Sequence, residues 1–165
     1  MRRLTRDLPE VLHARVPAGA RVLRVLALPD GDHAVLTSAS LIVGGDAVTL
    51  DRPWSDVDAA SWDSEEGAVT ISWVDGSAPT SLAVGEQAKV AEFVYALKER
   101  IDHSLVLLET VQLSGGGYLR GAIRRNADGS LFSQVTISGV SRPPSDVDAR
   151  VAALESRIRA AVGLD

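Results

Sequence analysis

The chain has 165 residues, of which 45% are hydrophobic and 24% charged, and its net charge is −5. These proportions are typical of a globular protein with a substantial core, and they exclude a fibre or a disordered chain. The sequence contains no cysteine, which excludes disulfides, thiol catalysis and zinc–thiolate sites. No apolar run reaches the roughly 18 residues of a membrane span and the first residues do not resemble a signal peptide, so we expect a cytoplasmic protein.

The first half of the chain predicts a short helix followed by strands. Asp7 is placed to cap a helix and Pro9 suits a first helical turn, so a short helix is expected to end before Pro17. From residue 20 to 84, apolar and β-branched runs alternate with Gly, Asp and Pro, a pattern typical of an antiparallel meander. The seven predicted strands are 20–28, 33–38, 40–43, 47–50, 54–62, 68–74 and 80–84. The last two form a hairpin around Asp75-Gly76.

A change of period marks the next element. Apolar residues recur with helical spacing at Val90, Phe93, Val94, Leu97 and Ile101, which predicts an amphipathic helix over 86–102. Seven antiparallel strands followed by one amphipathic helix is the element order of a pleckstrin-homology-like barrel, in which the helix closes one end of two orthogonal sheets. The sequence therefore predicts an α+β, mainly β fold with such a barrel over residues 1–103.

Residues 104–165 form a C-terminal extension with a different charge balance. They carry 7 basic and 6 acidic groups, whereas residues 1–103 carry 10 and 16. Three strands are predicted at 104–113, 118–125 and 131–138, followed by a helix with Ser145 as its N-cap and Gly163 at its end. We expect this extension to pack on the barrel, extending a sheet or covering an edge. The alternative is that the extension pairs with the extension of another copy, which would make the protein a homodimer.

Three segments resemble a family of short actinobacterial proteins with a pleckstrin-homology-like fold. They are "RPWSDVDAASWDSEEGAVTISWVDG", "LETVQLSGGGYLRGAIRRNADGSLFSQVTIS" and "DVDARVAALESRIRAAVG". The resemblance rests on Pro53-Trp54, Trp62-Asp63, the glycines at 115–117 and Arg124-Arg125. It implies the fold and a GC-rich bacterial source, and it supplies no catalytic residue.

Motifs for catalysis and cofactor binding are missing from the sequence. None of His13, His33 and His103 is followed three or four positions later by a histidine or an acidic residue, as a local metal or acid–base motif would need, and no Gly-x-Ser-x-Gly occurs. "SGGGYLRG" has Arg120 where a nucleotide loop needs Gly, and a strand follows where that loop needs a helix. The acidic residues between Asp46 and Glu66 lack calcium-loop spacing and are expected on solvated turns. We therefore expect no enzyme, no cofactor and no metal.

The candidate interaction residues are four arginines and one tryptophan. Arg120 and Arg124 are four apart on a strand and share a face, Arg125 lies opposite, and Arg142 follows the next strand. Such arginines can bind carboxylate or phosphate groups bidentately, although an ordinary solvated sheet face has the same composition. Trp54 would share a face with Trp62 on an unbroken strand, either in the core or in an exposed docking groove.

Two functional hypotheses remain. The first is a non-catalytic module that recognises a protein through an exposed sheet edge or through the Arg face of the extension. The second is an anionic-ligand or nucleic-acid-binding protein that uses Arg120, Arg124 and Arg125. The net charge of −5 and the aromatic content of 4% disfavour nucleic acid, and the acidic loop "PDGD" disfavours a membrane surface.

Overall fold

The computed structural model describes residue 5 and residues 8–86 and 88–164, which form two compact units, Met1–Asp102 and His103–Asp165. The fold is α+β and mainly β. Three antiparallel sheets and three α-helices are present in the described residues, whose strands do not close into the predicted barrel. The ends of all ten strands lie within three residues of the predicted ends. The agreement is close because turn residues and the two-residue alternation of side chains are encoded locally in the sequence.

The first unit opens with helix α1 and a four-stranded sheet. Helix α1 spans Glu10–Arg15, and Asp7, its predicted cap, lies outside the described residues. The sheet has the order β1-β2-β3-β4, with every neighbouring pair antiparallel. Its strands are β1 (Val22–Ala27), β2 (His33–Thr37), β3 (Ser40–Gly44) and β4 (Val48–Pro53).

A three-stranded sheet and a helix complete the first unit. Strands β5 (Val57–Asp63), β6 (Ala68–Trp73) and β7 (Thr80–Ala83) pair in chain order. The β6–β7 connection is the predicted Asp75-Gly76 hairpin, with Gly76 at a φ of 74° that favours glycine. Helix α2 spans Val90–Ser104 and so begins four residues later than predicted.

One hydrophobic core contains side chains from both sheets and from α2. Leu36 of β2, Ile71 of β6 and Leu97 of α2 are fully buried in this cluster. A second, smaller cluster lies on the outer face of the four-stranded sheet, where Leu12 of α1 packs with Val35 and Ile42. Both faces of β2 and β3 are therefore buried, which explains why their sequences are continuous apolar runs with no polar alternation.

The second unit is a three-stranded sheet with a helix on one face. Strands β8 (Leu105–Gln112), β9 (Tyr118–Arg125) and β10 (Leu131–Ser138) have the order β10-β9-β8, and helix α3 spans Val147–Ala161. Leu119 and Ile123 of β9 pack with Leu154 and Ile158 of α3 in the core of this unit. The β8–β9 turn contains the three consecutive glycines 115–117, all at positive φ, which is why the sequence needs glycine there.

Two local predictions were wrong. Residues Trp54–Asp56 form a 3₁₀ turn, not the start of β5, because Pro53 ends β4 and the N–H of Val57 donates to the Trp54 carbonyl oxygen. The residue that precedes α3 as its N-cap is Asp146, not Ser145, and its side chain makes no capping hydrogen bond. Its carboxylate instead accepts a hydrogen bond of 2.8 Å from Nε of Arg150.

Candidate functional site

The structure separates the arginines that the sequence groups together. Arg120 and Arg124 share one face of β9, as their pairing with Thr136 and Phe132 of β10 shows, and Arg125 lies on the other face. Arg124 is only 2% exposed, and its Nη1 donates to Oγ of the equally buried Ser104 at 3.2 Å. A side chain with that burial contributes to the interior of the protein and not to an exposed binding face.

The surroundings of Arg125 and Arg142 differ from those of Arg124 and from each other. Nη1 of Arg125 donates to the carbonyl oxygen of His103 at 3.1 Å, next to the end of α2. An arginine in that position satisfies a helix carbonyl and interacts favourably with the helix dipole. Arg142 is exposed in the connection between β10 and α3. The four arginines therefore do not form one surface, and anion binding through an Arg face stays a prediction that the burial of Arg124 does not favour.

Trp54 belongs to the core of the first unit. It is 5% exposed, and its indole Nε1 donates to the carbonyl oxygen of Thr37 at 2.9 Å. The 3₁₀ turn interrupts the strand that would have aligned it with Trp62, and Trp62 is 42% exposed on β5. Of the two alternatives for Trp54, the structure favours core packing over an exposed docking groove.

The prediction that the acidic residues between Asp46 and Glu66 lie on turns was wrong in part, because Asp51 belongs to β4 and Asp58 and Asp63 belong to β5. In two other turns an acidic side chain organises the backbone. In the Asp75-Gly76-Ser77 turn, Oδ1 of Asp75 accepts hydrogen bonds from the hydroxyl and the backbone N–H of Ser77, at 2.5 and 2.9 Å. The turn that contains Asp128 and Ser130 repeats this arrangement, at 2.6 and 2.9 Å. Within the residues that the structure describes, no three histidine or acidic side chains are grouped so that they could hold a metal ion.

Asp75 also takes part in a cluster with Arg52 and Trp73 of the first unit. The guanidinium carbon of Arg52 lies 4.5 Å from the centre of the Trp73 ring, and its Nη2 donates to Oδ2 of Asp75 at 2.9 Å. The hydrogen bonds from Ser77, together with that from Arg52, lower the pKa of Asp75 to about 2. A carboxyl group with so low a pKa is a poor general base near neutral pH, and its hydrogen bonds hold the β6–β7 turn against Arg52 of β4.

An open groove lies between α1 and the outer edge strand β4. It has a volume of about 720 Å³, and its lining residues come from α1, from β4 and from the turn before β4. The residues that line it are Val11, Ala14, Arg15, Asp46, Ala47, Val48, Thr49, Leu50 and Asp51. Since β4 pairs with β3 alone among the described strands, the groove has an edge strand as one wall and a helix as the other.

The groove combines apolar contact area with acidic charge. Val11 is 37% exposed and, with Ala14, forms the apolar part of the α1 wall. On the β4 side, Asp51 is bound to Nε of Arg15 at 2.5 Å, and Asp46 is exposed in the turn before β4. The groove contains one arginine and two carboxylates, so its net charge is negative. Its chemistry suits an extended chain with an apolar and a basic side chain.

This groove was missed by the sequence analysis, although one signal for it is present. The continuous apolar runs of β2 and β3 require cover on both sheet faces, and α1 is the element that covers the outer face through Leu12. In this structure α1 leaves a groove along the edge of the sheet, beside β4. The sequence does not reveal which edge, because that depends on the packing direction of α1.

No protein-family model, curated protein sequence or solved structure matches this chain. Over the described residues, none of the helices has the length and apolar character needed to cross a membrane.

Proposed function

We propose that this chain is a non-catalytic, cytoplasmic protein-recognition module that binds an extended segment of another protein in the groove between α1 and β4. The single observation that carries the proposal is the placement of α1 beside an edge strand, which leaves strand backbone, apolar side chains and acidic charge together in one groove. A peptide that adds to a sheet edge gains main-chain hydrogen bonds, and the adjoining surface selects its side chains.

The first unit is proposed to have a pleckstrin-homology-like fold. Its order of four strands, three strands and a helix, all sharing one core, supports that assignment. Because a fold does not define a function, the binding proposal is argued from the groove alone.

The partner segment is proposed to carry a basic residue beside an apolar one. Asp46 and Asp51 outnumber Arg15 in the groove, and residues 1–103 carry 16 acidic and 10 basic groups, so the field of this unit attracts basic chains. Val11 and Ala14 offer the contact area for the apolar side chain.

A peptide selection with two matched variants tests the proposal. Random 12-residue peptides displayed on phage are selected on the full chain, and the selected peptides are synthesised and their dissociation constants measured. Val11 and Ile137 are 37% and 42% exposed, so Val11→Lys blocks the groove while Ile137→Lys introduces a lysine at an exposed apolar position of the second unit. We expect Val11→Lys to weaken binding by at least about tenfold, and Ile137→Lys to leave it unchanged.

Hydrogen exchange then locates the peptide. Backbone amides of β4 should exchange more slowly in the complex, since an added strand protects that edge. The proposal is wrong if the selection yields no peptide, if both variants bind equally well, or if the protection appears on another strand.

A further inference from the structure

Strand β8 has two exposed apolar side chains, Val106 and Leu108, in the second unit. Leu108 pairs with Ala122, and Thr110 with Arg120, so the even-numbered residues of β8 lie on the face opposite α3. On that face Leu108 is 41% exposed and Val106 is 36% exposed. In the described part of the chain β8 has β9 as its only strand neighbour, so its other side is a sheet edge.

This edge has only part of the protection that normally prevents strands from associating. Edge strands are usually protected by lysine, by proline, by a β-bulge or by a charge that points inward. The sequence of β8, LVLLETVQ, has neither lysine nor proline, and its one charged residue, Glu109, is bound to Arg157 of α3 at 2.6 Å. The irregularity at Leu105–Leu107 is confined to the start of the strand, and pairing is regular from Leu107 to Gln112.

We infer that β8 pairs antiparallel with β8 of a second copy of this chain, around a two-fold axis at Leu108. Directly opposed residues share a sheet face, so a symmetric pairing must be centred on a residue. Centring on Leu108 places it opposite the partner's Leu108, and Leu107 opposite the partner's Glu109, within the regularly paired part of the strand. Centring on Glu109 would oppose two carboxylates, which is destabilising.

The chemistry of this edge fits a second copy better than a charged partner. The outward row of Val106, Leu108, Thr110 and Gln112 is uncharged, so it is complementary to itself. Residues 104–165 carry 7 basic and 6 acidic groups, so two copies of this unit repel each other little. The two three-stranded sheets join into one of six strands, with both α3 helices on the same face.

The cysteine-free sequence permits a clean cross-linking test of the register. Leu108→Cys places the two sulfurs on directly opposed residues, within disulfide reach, and mild oxidation should give a covalent dimer. In the same register Thr110→Cys places the two sulfurs four residues apart along the strand, about 13 Å, which no disulfide spans. We expect at least about tenfold more covalent dimer from Leu108→Cys than from the exposed control Thr110→Cys.

A measurement of the mass in solution tests the proposed pairing of two β8 strands without the need for oxidation. The weight-average mass by sedimentation equilibrium should rise from 17.4 kDa towards twice that value as the protein concentration increases to about 1 mM. Leu108→Lys should keep the chain monomeric. Ile137→Lys is the matched control, because Ile137 is 42% exposed on the opposite edge strand β10, and it should dimerise as the unmodified chain does.

Three outcomes would overturn the inference. One is a mass that stays at 17.4 kDa at every concentration. The second is a dimer that Leu108→Lys leaves intact, which would place the interface elsewhere. The third is equal cross-linking by the two cysteine variants. None of these outcomes bears on the groove beside β4, so the two proposals fail or succeed separately.

Discussion

Helix α3 packs closely against β9 at Gly121, and Gly121→Ala tests that packing. A Cβ atom at this position would lie 2.9 Å from Cγ of Leu154, 3.0 Å from its Cδ2 and 3.2 Å from Cδ1 of Ile158. Favourable contacts between carbon atoms are about 3.5–4.0 Å, so all three distances are too short. Either Leu154 leaves its rotamer or α3 moves away from the sheet.

The expected cost follows from these distances. Overpacking of a core by one methyl group costs about 1–3 kcal/mol, whereas replacing glycine by alanine at an ordinary φ gains about 0.4–1 kcal/mol from the unfolded chain. We therefore expect Gly121→Ala to lower the free energy of unfolding by about 1–2 kcal/mol. With a urea dependence of about 1 kcal/mol per M, the unfolding midpoint should fall by about 1–2 M.

The same substitution in a Leu154→Ala variant shows whether the steric clash with Leu154 causes the loss of stability. In Leu154→Ala the two nearest atoms are removed, and adding Gly121→Ala should then be neutral or slightly stabilising. Unfolding is followed by far-UV circular dichroism. Tryptophan fluorescence reports on the first unit alone, which contains all three tryptophans. If Gly121→Ala stabilises the chain, or costs the same in both backgrounds, the close approach of α3 is wrong.

Three further changes address single contacts. Trp54→Phe removes the donor to the Thr37 carbonyl oxygen and should lower the free energy of unfolding by about 1–3 kcal/mol; an unchanged urea midpoint would argue against this bond. Thr37→Val removes the hydroxyl that accepts the Ser40 N–H at 2.8 Å and should cost about 1–3 kcal/mol, whereas Thr37→Ser should retain most of the stability. Ser77→Ala should raise the pKa of Asp75 from about 2 towards 3.8, observed by NMR titration of that carboxyl group. Because the folded-state pKa is depressed, the stabilising effect of Asp75 is complete above pH 3.8 and is lost as the pH falls to about 2.

Local patterns predicted most of the elements, and the errors arose where distant contacts decide the structure. The bounds of β9 and β10 agree with the prediction because glycine-rich turns and hydrophobic alternation are encoded within a few residues. The start of β5 was wrong because Trp54 turns inward, where its backbone N–H donates to the carbonyl oxygen of Ala39 and its indole to Thr37. Neither acceptor is adjacent to Trp54 in the sequence.

The surroundings of the candidate arginines were harder to predict, because the spacing of residues along a strand shows which face they share but not whether that face is exposed to solvent. Arg120 and Arg124 share a face, as expected, but nothing in their spacing indicated that Arg124 would be 2% exposed. Its neighbour Ser104 precedes it by 20 residues. Burial of that guanidinium is a tertiary property, so a cluster of charges in a sequence does not by itself indicate a binding surface.

The peptide contact in the groove beside β4 and the β8–β8 contact differ in charge, so a change in ionic strength should affect them differently. The groove beside β4 is lined by Asp46, Asp51 and Arg15, and its proposed partner is basic, so part of its affinity comes from charge attraction that salt screens. The outward row of β8 is uncharged, and hydrophobic pairing is not weakened by screening. Raising the salt concentration should weaken peptide binding and leave the Leu108-centred dimer intact. If salt instead dissociated the dimer, the association would depend on charged groups and not on the apolar edge of β8.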